Sequence, residues 1–327
     1  MADEWTTALD STLRDEPNVE VKEVDFDIHS KYFVIDNRIA FVGSQNWSNG
    51  GIQSNHELGV LIENKSVAGS YTYIFESGWS AAGGKNRGAK YWKTDWLYPA
   101  VSGPEMPPEP KTTVSALENL IDSANENVKI FNYIFTTGAD PIANALTEAA
   151  NRDVKIQLMV DAYYYENLFE DVWPEMSFCS YVDFSERLEE LNSADGISVK
   201  GIHLGDWVAS HQKVLVVDDK RMYVGSANLA TKSMGTNPGY WRREVGVVID
   251  NLTLGTALSE SFDIYWNSEH SKGLDRGENE GIQINIYVVI VVASIIIAVI
   301  VVVWAWRTIR LRRTRKTQKW TRNPTHP

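Results

Sequence analysis

The chain has 327 residues, 43% of them hydrophobic and 11% aromatic, which supports a substantial core in one large or two modest domains. Its last 21 residues hold eight Lys or Arg, so the first 306 carry 23 basic against 43 acidic residues, a net charge of about −20. That balance excludes a protein gripping nucleic acid mainly through its phosphates, and the single cysteine, Cys179, excludes an intrachain disulfide.

MADEWTTALD has neither a basic start nor an apolar stretch, so no signal peptide is read there. The run from Thr6 to Phe26 has the layout of a helix followed by a strand. From His29 the chain reads HSKYFVIDNRIAFVGSQNWS. A histidine and a lysine two residues apart open a strand, followed by Asp36 and a Gly-Ser-x-Asn turn holding Ser44 and Asn46. Side chains alternate along a strand, so His29 and Lys31 share a face that Phe33 and Ile35 are expected to continue inward. ELGVLIEN follows from Glu57 and FESGW from Phe75. PAVSGPEMPPEP, with five prolines, then predicts a linker.

Beyond it, helices near Val114–Ala124, Pro141–Asn151 and Phe184–Asn192 alternate with strands from Val128, Val154 and Ile197. Alternation of this kind predicts an α/β sandwich with a mixed, largely parallel sheet. The next stretch, HQKVLVVDDKRMYVGSANLATKS, repeats the first motif. His211, Lys213, Asp218, Ser226 and Asn228 each lie 182 residues after their counterparts. Glu244 in EVGVVIDN, Phe262 and Trp266 then match Glu57, Phe75 and Trp79 at an offset of 187. His56, which has Arg243 opposite it in the second copy, reads as a surface residue. Only 28 residues precede His29, whereas 98 positions separate Thr113 from His211, so the first copy is expected to be N-terminally incomplete by roughly seventy residues.

Two imidazoles, two ammonium groups, two hydroxyls and two amides, brought together by a pseudo-twofold, suit a phosphodiester. One neutral imidazole attacks phosphorus and forms a phosphohistidine. The other, protonated, delivers its proton to the leaving oxygen and later activates water or an alcohol. The lysines and asparagines stabilise the non-bridging oxygens without a metal. Opposite protonation states on like residues require orienting acids, and Glu57 and Glu244 are the candidates.

The duplicated HxK(x)4D, GSxN and downstream glutamate resemble the phospholipase D superfamily over roughly residues 1 to 270. The resemblance implies two tandem α/β sandwich units and no cofactor. It makes His29 the nucleophile and His211 the general acid, with Lys31, Lys213, Asn46 and Asn228 binding phosphate. Ser44 and Ser226 are candidates to join them. Asp36 and Asp218 would be structural or would support the site from behind. A phospholipid is the expected substrate, by hydrolysis or phosphatidyl transfer. GSQNWS also resembles motifs of the superfamily's nucleases, which makes single-stranded nucleic acid the alternative.

Residues 286–306 hold no charge over 21 positions, long enough to cross a bilayer core of about 30 Å, with Tyr287, Trp304 and Trp306 at its ends. The basic tail after it is expected in the cytosol, and the catalytic part on the other side of the membrane. The expected organisation is a first unit over 1–98, a linker over 99–111, a second unit over 112–272, a juxtamembrane stretch over 273–285, the span over 286–306 and the tail over 307–327. The exposed strand edges of a short first sheet are expected to invite assembly into a homo-oligomer.

Overall fold

A computed structural model describes residues 12–107, 112–162, 181–205, 208–235 and 241–273. The expected membrane span and basic tail lie outside these residues. Among the described residues no helix is long and apolar enough to cross a membrane.

Each copy of the motif folds as a tight hairpin because its aspartate occupies the turn. Strand β2 (Tyr32–Ile35) returns as β3 (Ile39–Gly43), and β9 (Lys213–Val217) returns as β10 (Arg221–Gly225). Asp36, Asn37, Asp218 and Asp219 have φ of 54°, 51°, 50° and 53°. Two consecutive left-handed residues make the type I′ turn that suits the strand twist, and Asp and Asn tolerate that region best among residues with a Cβ. A third strand then antiparallels each hairpin: β4 (Gly59–Glu63) beside β3 and β11 (Arg242–Asp250) beside β10. A helix follows in both copies, α1 (Lys65–Ala81) and α6 (Leu252–Trp266). Asn64 accepts the Ser66 and Val67 N–H groups, and Asn251 accepts that of Leu254, so both asparagines are helix N-caps.

In the second copy the sheet continues through β6 (Asn127–Asn132), β7 (Lys155–Asp161) and β8 (Ile197–Ile202). Helix α2 (Thr113–Asp122) precedes β6, α3 (Asp140–Ala150) and α4 (Tyr181–Ser193) follow β6 and β7, and the short α5 (Thr231–Met234) lies between β10 and β11. With β1 (Asp27–Ile28), β5 (Leu97–Ser102) and β12 (Ser271–Gly273), nine strands form one sheet in the order β1-β11-β10-β9-β6-β7-β8-β12, with β5 also on β11. Strands β2, β3 and β4 form a separate three-stranded sheet. One face of the large sheet packs against helices in a core that includes Leu117, Ile142, Leu146, Leu188 and Leu215. The other meets the small sheet and α1, where Ala40, Val42, Ile62 and Tyr71 join Val214, Val216, Val224 and Val247. Both copies therefore share one apolar interior within residues 1–274.

Four expectations change. The large sheet is mixed but mainly antiparallel; only β6–β7–β8 and the short β1–β11 contact run parallel, because hairpins supply the motif strands. Residues 99–102, expected in the linker, extend β5 along β11, and Pro99 is accommodated opposite Val247 on this outer strand. Residues 19–24, expected as a strand, form none. The inward face of β2 is Tyr32 and Val34, while Ile35 is 47% exposed and Phe33 stacks on Phe41 at 5.1 Å. In the second copy helices cover the face that holds Leu215 and Val217, and no described helix covers its equivalent in the first.

Candidate active site

The two histidines are held crosswise. The His29 N–H donates to the Arg243 carbonyl at 2.9 Å, and the His211 N–H donates to that of His56 at 2.9 Å. Arg243 and His56 each directly precede a motif glutamate. Those reciprocal backbone bonds place every histidine beside the glutamate of the other copy. His29 Nδ1 lies 2.8 and 3.0 Å from the Glu244 oxygens, and His211 Nδ1 lies 2.9 and 3.0 Å from those of Glu57. Both Nε2 atoms are thus left for chemistry, with the rings held by their carboxylates.

The glutamates are fixed in turn by the motif serines. Ser44 Oγ donates to Glu57 Oε2, and Ser226 Oγ donates to Glu244 Oε2, each at 2.5 Å. Both serines are fully buried and sit behind the carboxylates, so these two candidates for phosphate binding are committed to the glutamates. Glu244 gains a second hydroxyl, Ser233 Oγ at 2.6 Å, where among the described residues Glu57 has Asn55 Nδ2 at 3.4 Å.

The lysines bend back to the site. Lys213 Nζ donates to the His211 carbonyl at 2.6 Å, and Lys31 makes the same bond to that of His29. Burial lowers the Lys31 pKa to about 8 and pushes that of Lys213 well down. Burial also lowers both imidazoles: His211 reaches about 4, helped by Lys213 and opposed by Glu57, and His29 falls too, opposed by Glu244. Each histidine also feels the lysine of the other copy. Burial works against the Glu244 carboxylate, but His29, Lys31 and Ser226 together hold it below the ordinary range. The arrangement sets two imidazoles and two buried lysines against two buried carboxylates at one place. Asn228 is buried with an Oδ1 that has no partner among the described residues, and Asn46 is half-buried.

The aspartates sit elsewhere. Asp218, at the turn, accepts the backbone N–H groups of Asn125, Glu126 and Asn127 at 2.9 to 3.2 Å and pins the start of β6. Those bonds hold its carboxyl below the usual range against the effect of burial. Asp36 occupies the same turn position on the surface.

Four contributors carried no role in the sequence reading. Ser233 and Asn55 hold the glutamates. The Tyr133 ring meets His211 edge-on at 4.8 Å and lies under the Lys213 ammonium at 5.1 Å. Asp161, at the carboxyl end of β7, accepts the Ser210 N–H at 2.6 Å. The position of Ser233, seven residues after Ser226, is visible in the sequence, but its counterpart in the first copy is Gly51, so the repeat hides it. His56 is half-buried against Tyr265 at 4.5 Å and Phe131 at 5.7 Å, with Gln212 Nε2 at 3.1 Å, and is not a surface residue. Its counterpart Arg243 packs over Gly78, where a Cβ would lie 2.6 Å from the guanidinium. Gly78 and Tyr265 match at the repeat offset, so the larger partner on one element goes with the smaller on the other.

The chain is similar to known proteins in sequence and fold. The family described as "Cardiolipin synthase, PLD-like domain" matches residues 1–79 and 117–266. Cardiolipin synthase A of Proteus mirabilis (strain HI4320) is 25% identical over 138 residues, 41% of this chain and 26% of that protein. Cardiolipin synthase A of Wigglesworthia glossinidia brevipalpis is 24% identical over 255 residues, 73% of this chain and 47% of that one. The chain thus spans from a quarter to a half of the length of these relatives. Phosphatidylserine synthase of Haemophilus influenzae Rd KW20 shares the fold with a TM-score of 0.57 at 16% identity, over 83% of this chain and 69% of that one. With the family matching most of its length, both motif copies included, the chain belongs to the phospholipase D-like family of cardiolipin synthases.

Proposed function

We propose that the protein is a phosphodiesterase that acts on phospholipid through a phosphohistidine, by hydrolysis or phosphatidyl transfer. The crossed pairing of two histidines with two buried glutamates carries this reading. It keeps both imidazoles oriented while two lysines lie beside them. A diester anion entering the site offsets the lysine charges, so one imidazole can take up a proton for the leaving oxygen while the other stays neutral and attacks. Lys31 and Lys213, with Asn46 and Asn228, are proposed to hold the non-bridging oxygens; Ser44 and Ser226 act through the glutamates. The cardiolipin synthase relatives favour lipid over single-stranded nucleic acid as the substrate. The charge-free run 286–306 and the basic tail after it support attachment to a membrane with the tail on the cytosolic side.

The family resemblance assigns attack to His29 and acid catalysis to His211. The lowering of His211 to about 4 favours the opposite order, because the imidazole harder to protonate is the less suited to carry the proton for the leaving oxygen. Mapping the phosphorylated histidine after rapid quenching decides between them.

The test of function uses the full chain reconstituted with phosphatidylglycerol or phosphatidylcholine vesicles in EDTA, beside a single-stranded oligonucleotide. Headgroup release or transfer that vanishes in both His29→Ala and His211→Ala supports the proposal. Oligonucleotide cleavage with inert lipid would overturn it in favour of a nuclease.

A further inference from the structure

The carboxyl end of β6 is fastened to the second motif copy from three sides. Asn132 pairs with Lys213 across the β6–β9 ladder. Its side chain reaches the Gly-Ser-x-Asn turn, where Nδ2 donates to the Ala227 carbonyl at 3.4 Å and Oδ1 accepts the Leu229 N–H at 3.3 Å. The carbonyl of the next residue, Tyr133, accepts the Asp161 N–H at 3.3 Å, and Asp161 accepts the Ser210 N–H just before His211. Strand pairing and hydrogen bonds therefore set where the half-buried Tyr133 side chain stands.

That side chain touches both the imidazole and the ammonium of this copy. Its ring centre is 4.8 Å from that of His211, with the planes 64° apart, and 5.1 Å from the Lys213 ammonium. Lys213 is fully buried, and its Nζ donates to the His211 carbonyl. Burial and Lys31 work against its charge, while Glu57, Glu244 and Asp161 work for it. An aromatic face attracts an ammonium through its quadrupole, and more strongly where water is excluded. Unlike a carboxylate, the face carries no net charge, so it keeps the proton on the lysine without competing with an incoming phosphate.

We propose that Tyr133 is a positioning residue for the reaction: its ring holds Lys213 as an ammonium and fixes the tilt of His211, so that a bound phosphate meets both at set positions. Its effect on turnover rests on the phosphodiesterase reading above, whereas the hold on Lys213 exists without substrate. Loss of the ring face makes the ammonium easier to deprotonate, so turnover fails first on the alkaline side.

Tyr133→Phe in the full chain, followed by the same ring carrying one, two and three fluorines, withdraws electron density from the face at nearly constant shape. A 15N titration of the lysine ammonium groups should show Lys213 losing its proton at progressively lower pH along the series, with Lys31 as the internal control. On phosphatidylglycerol vesicles at alkaline pH, kcat/KM should fall in step. Tyr133→Leu, which removes the face, should lower it about threefold to thirtyfold. A Lys213 titration indifferent to fluorination, or an equal shift at Lys31, overturns the proposal. So does a loss complete at Tyr133→Phe with no further change along the series, because the hydroxyl would then carry the effect. A wild type inert on lipid, with Lys213 still following the fluorines in the series, would sink the substrate reading and leave the hold on Lys213 standing.

Discussion

The crossed pairing makes a prediction that proximity in the sequence would reverse. Glu57 follows His29 in the same copy, yet its oxygens lie 2.9 and 3.0 Å from Nδ1 of His211. Glu57→Gln keeps the shape of the side chain and removes its charge. A hydrogen bond to a charged group contributes about 1.5–3 kcal/mol, so kcat/KM should fall about ten- to a hundredfold. The direction follows from the site. Glu57 opposes the burial and the Lys213 charge that bring His211 to about 4, and without it the imidazole is harder still to protonate. Turnover on phosphatidylglycerol vesicles reads the loss, and a 15N titration of both histidines reads its location. The expected shift is at His211, with His29 keeping its wild-type profile. A shift confined to His29 would refute the crossed arrangement, and an unchanged rate would refute the role given to the carboxylate.

Further outcomes follow from the same geometry. Below the unfolded pKa of 6.5 the unfolded chain protonates His211 while the native chain, near 4, does not. Stability is therefore retained above pH 6.5 and lost as pH falls to 4, by about 3 kcal/mol in all; unfolding at stepped pH should show a wild-type loss that His211→Gln lacks. Ser233→Ala removes one of two hydroxyls on Glu244 and should slow turnover about threefold to tenfold, with the titration change at His29 and partial rescue by Ser233→Thr. Asp218→Ala unpins the start of β6 and should cost about 1–3 kcal/mol more in stability than Asp36→Ala, which meets the same left-handed turn strain at an exposed position; equal losses in thermal melts would contradict the different anchoring of the two turns.

Much of the fold and site was legible because short-range rules write it. The paired motifs, the turn aspartates and the alternation from Thr113 to Ile202 are local patterns, and the observed elements follow them to within a few residues. Apolar alternation alone could not say which face of β2 is inward, because that depends on whether helices cover the other one. The expected strand at residues 19–24 failed for a related reason: a strand needs a hydrogen-bonding neighbour, and no described strand lies beside it. Spacing marked Glu57 and Glu244 as partners for the histidines without saying which, since either copy could have paired with itself.

Taken alone, the sequence determined the chemistry of the site, through residue types repeated at a fixed offset, and the hairpins that carry them. Only the tertiary structure decided how those parts combine. Backbone bonds from His29 to Arg243 and from His211 to His56 cross the pseudo-twofold. They assign each imidazole to the carboxylate of the other copy, bury the lysines between them and turn the serines from candidate ligands into supports. Contacts between residues about two hundred positions apart leave no periodic signal in a single chain, because nothing but packing brings such residues together.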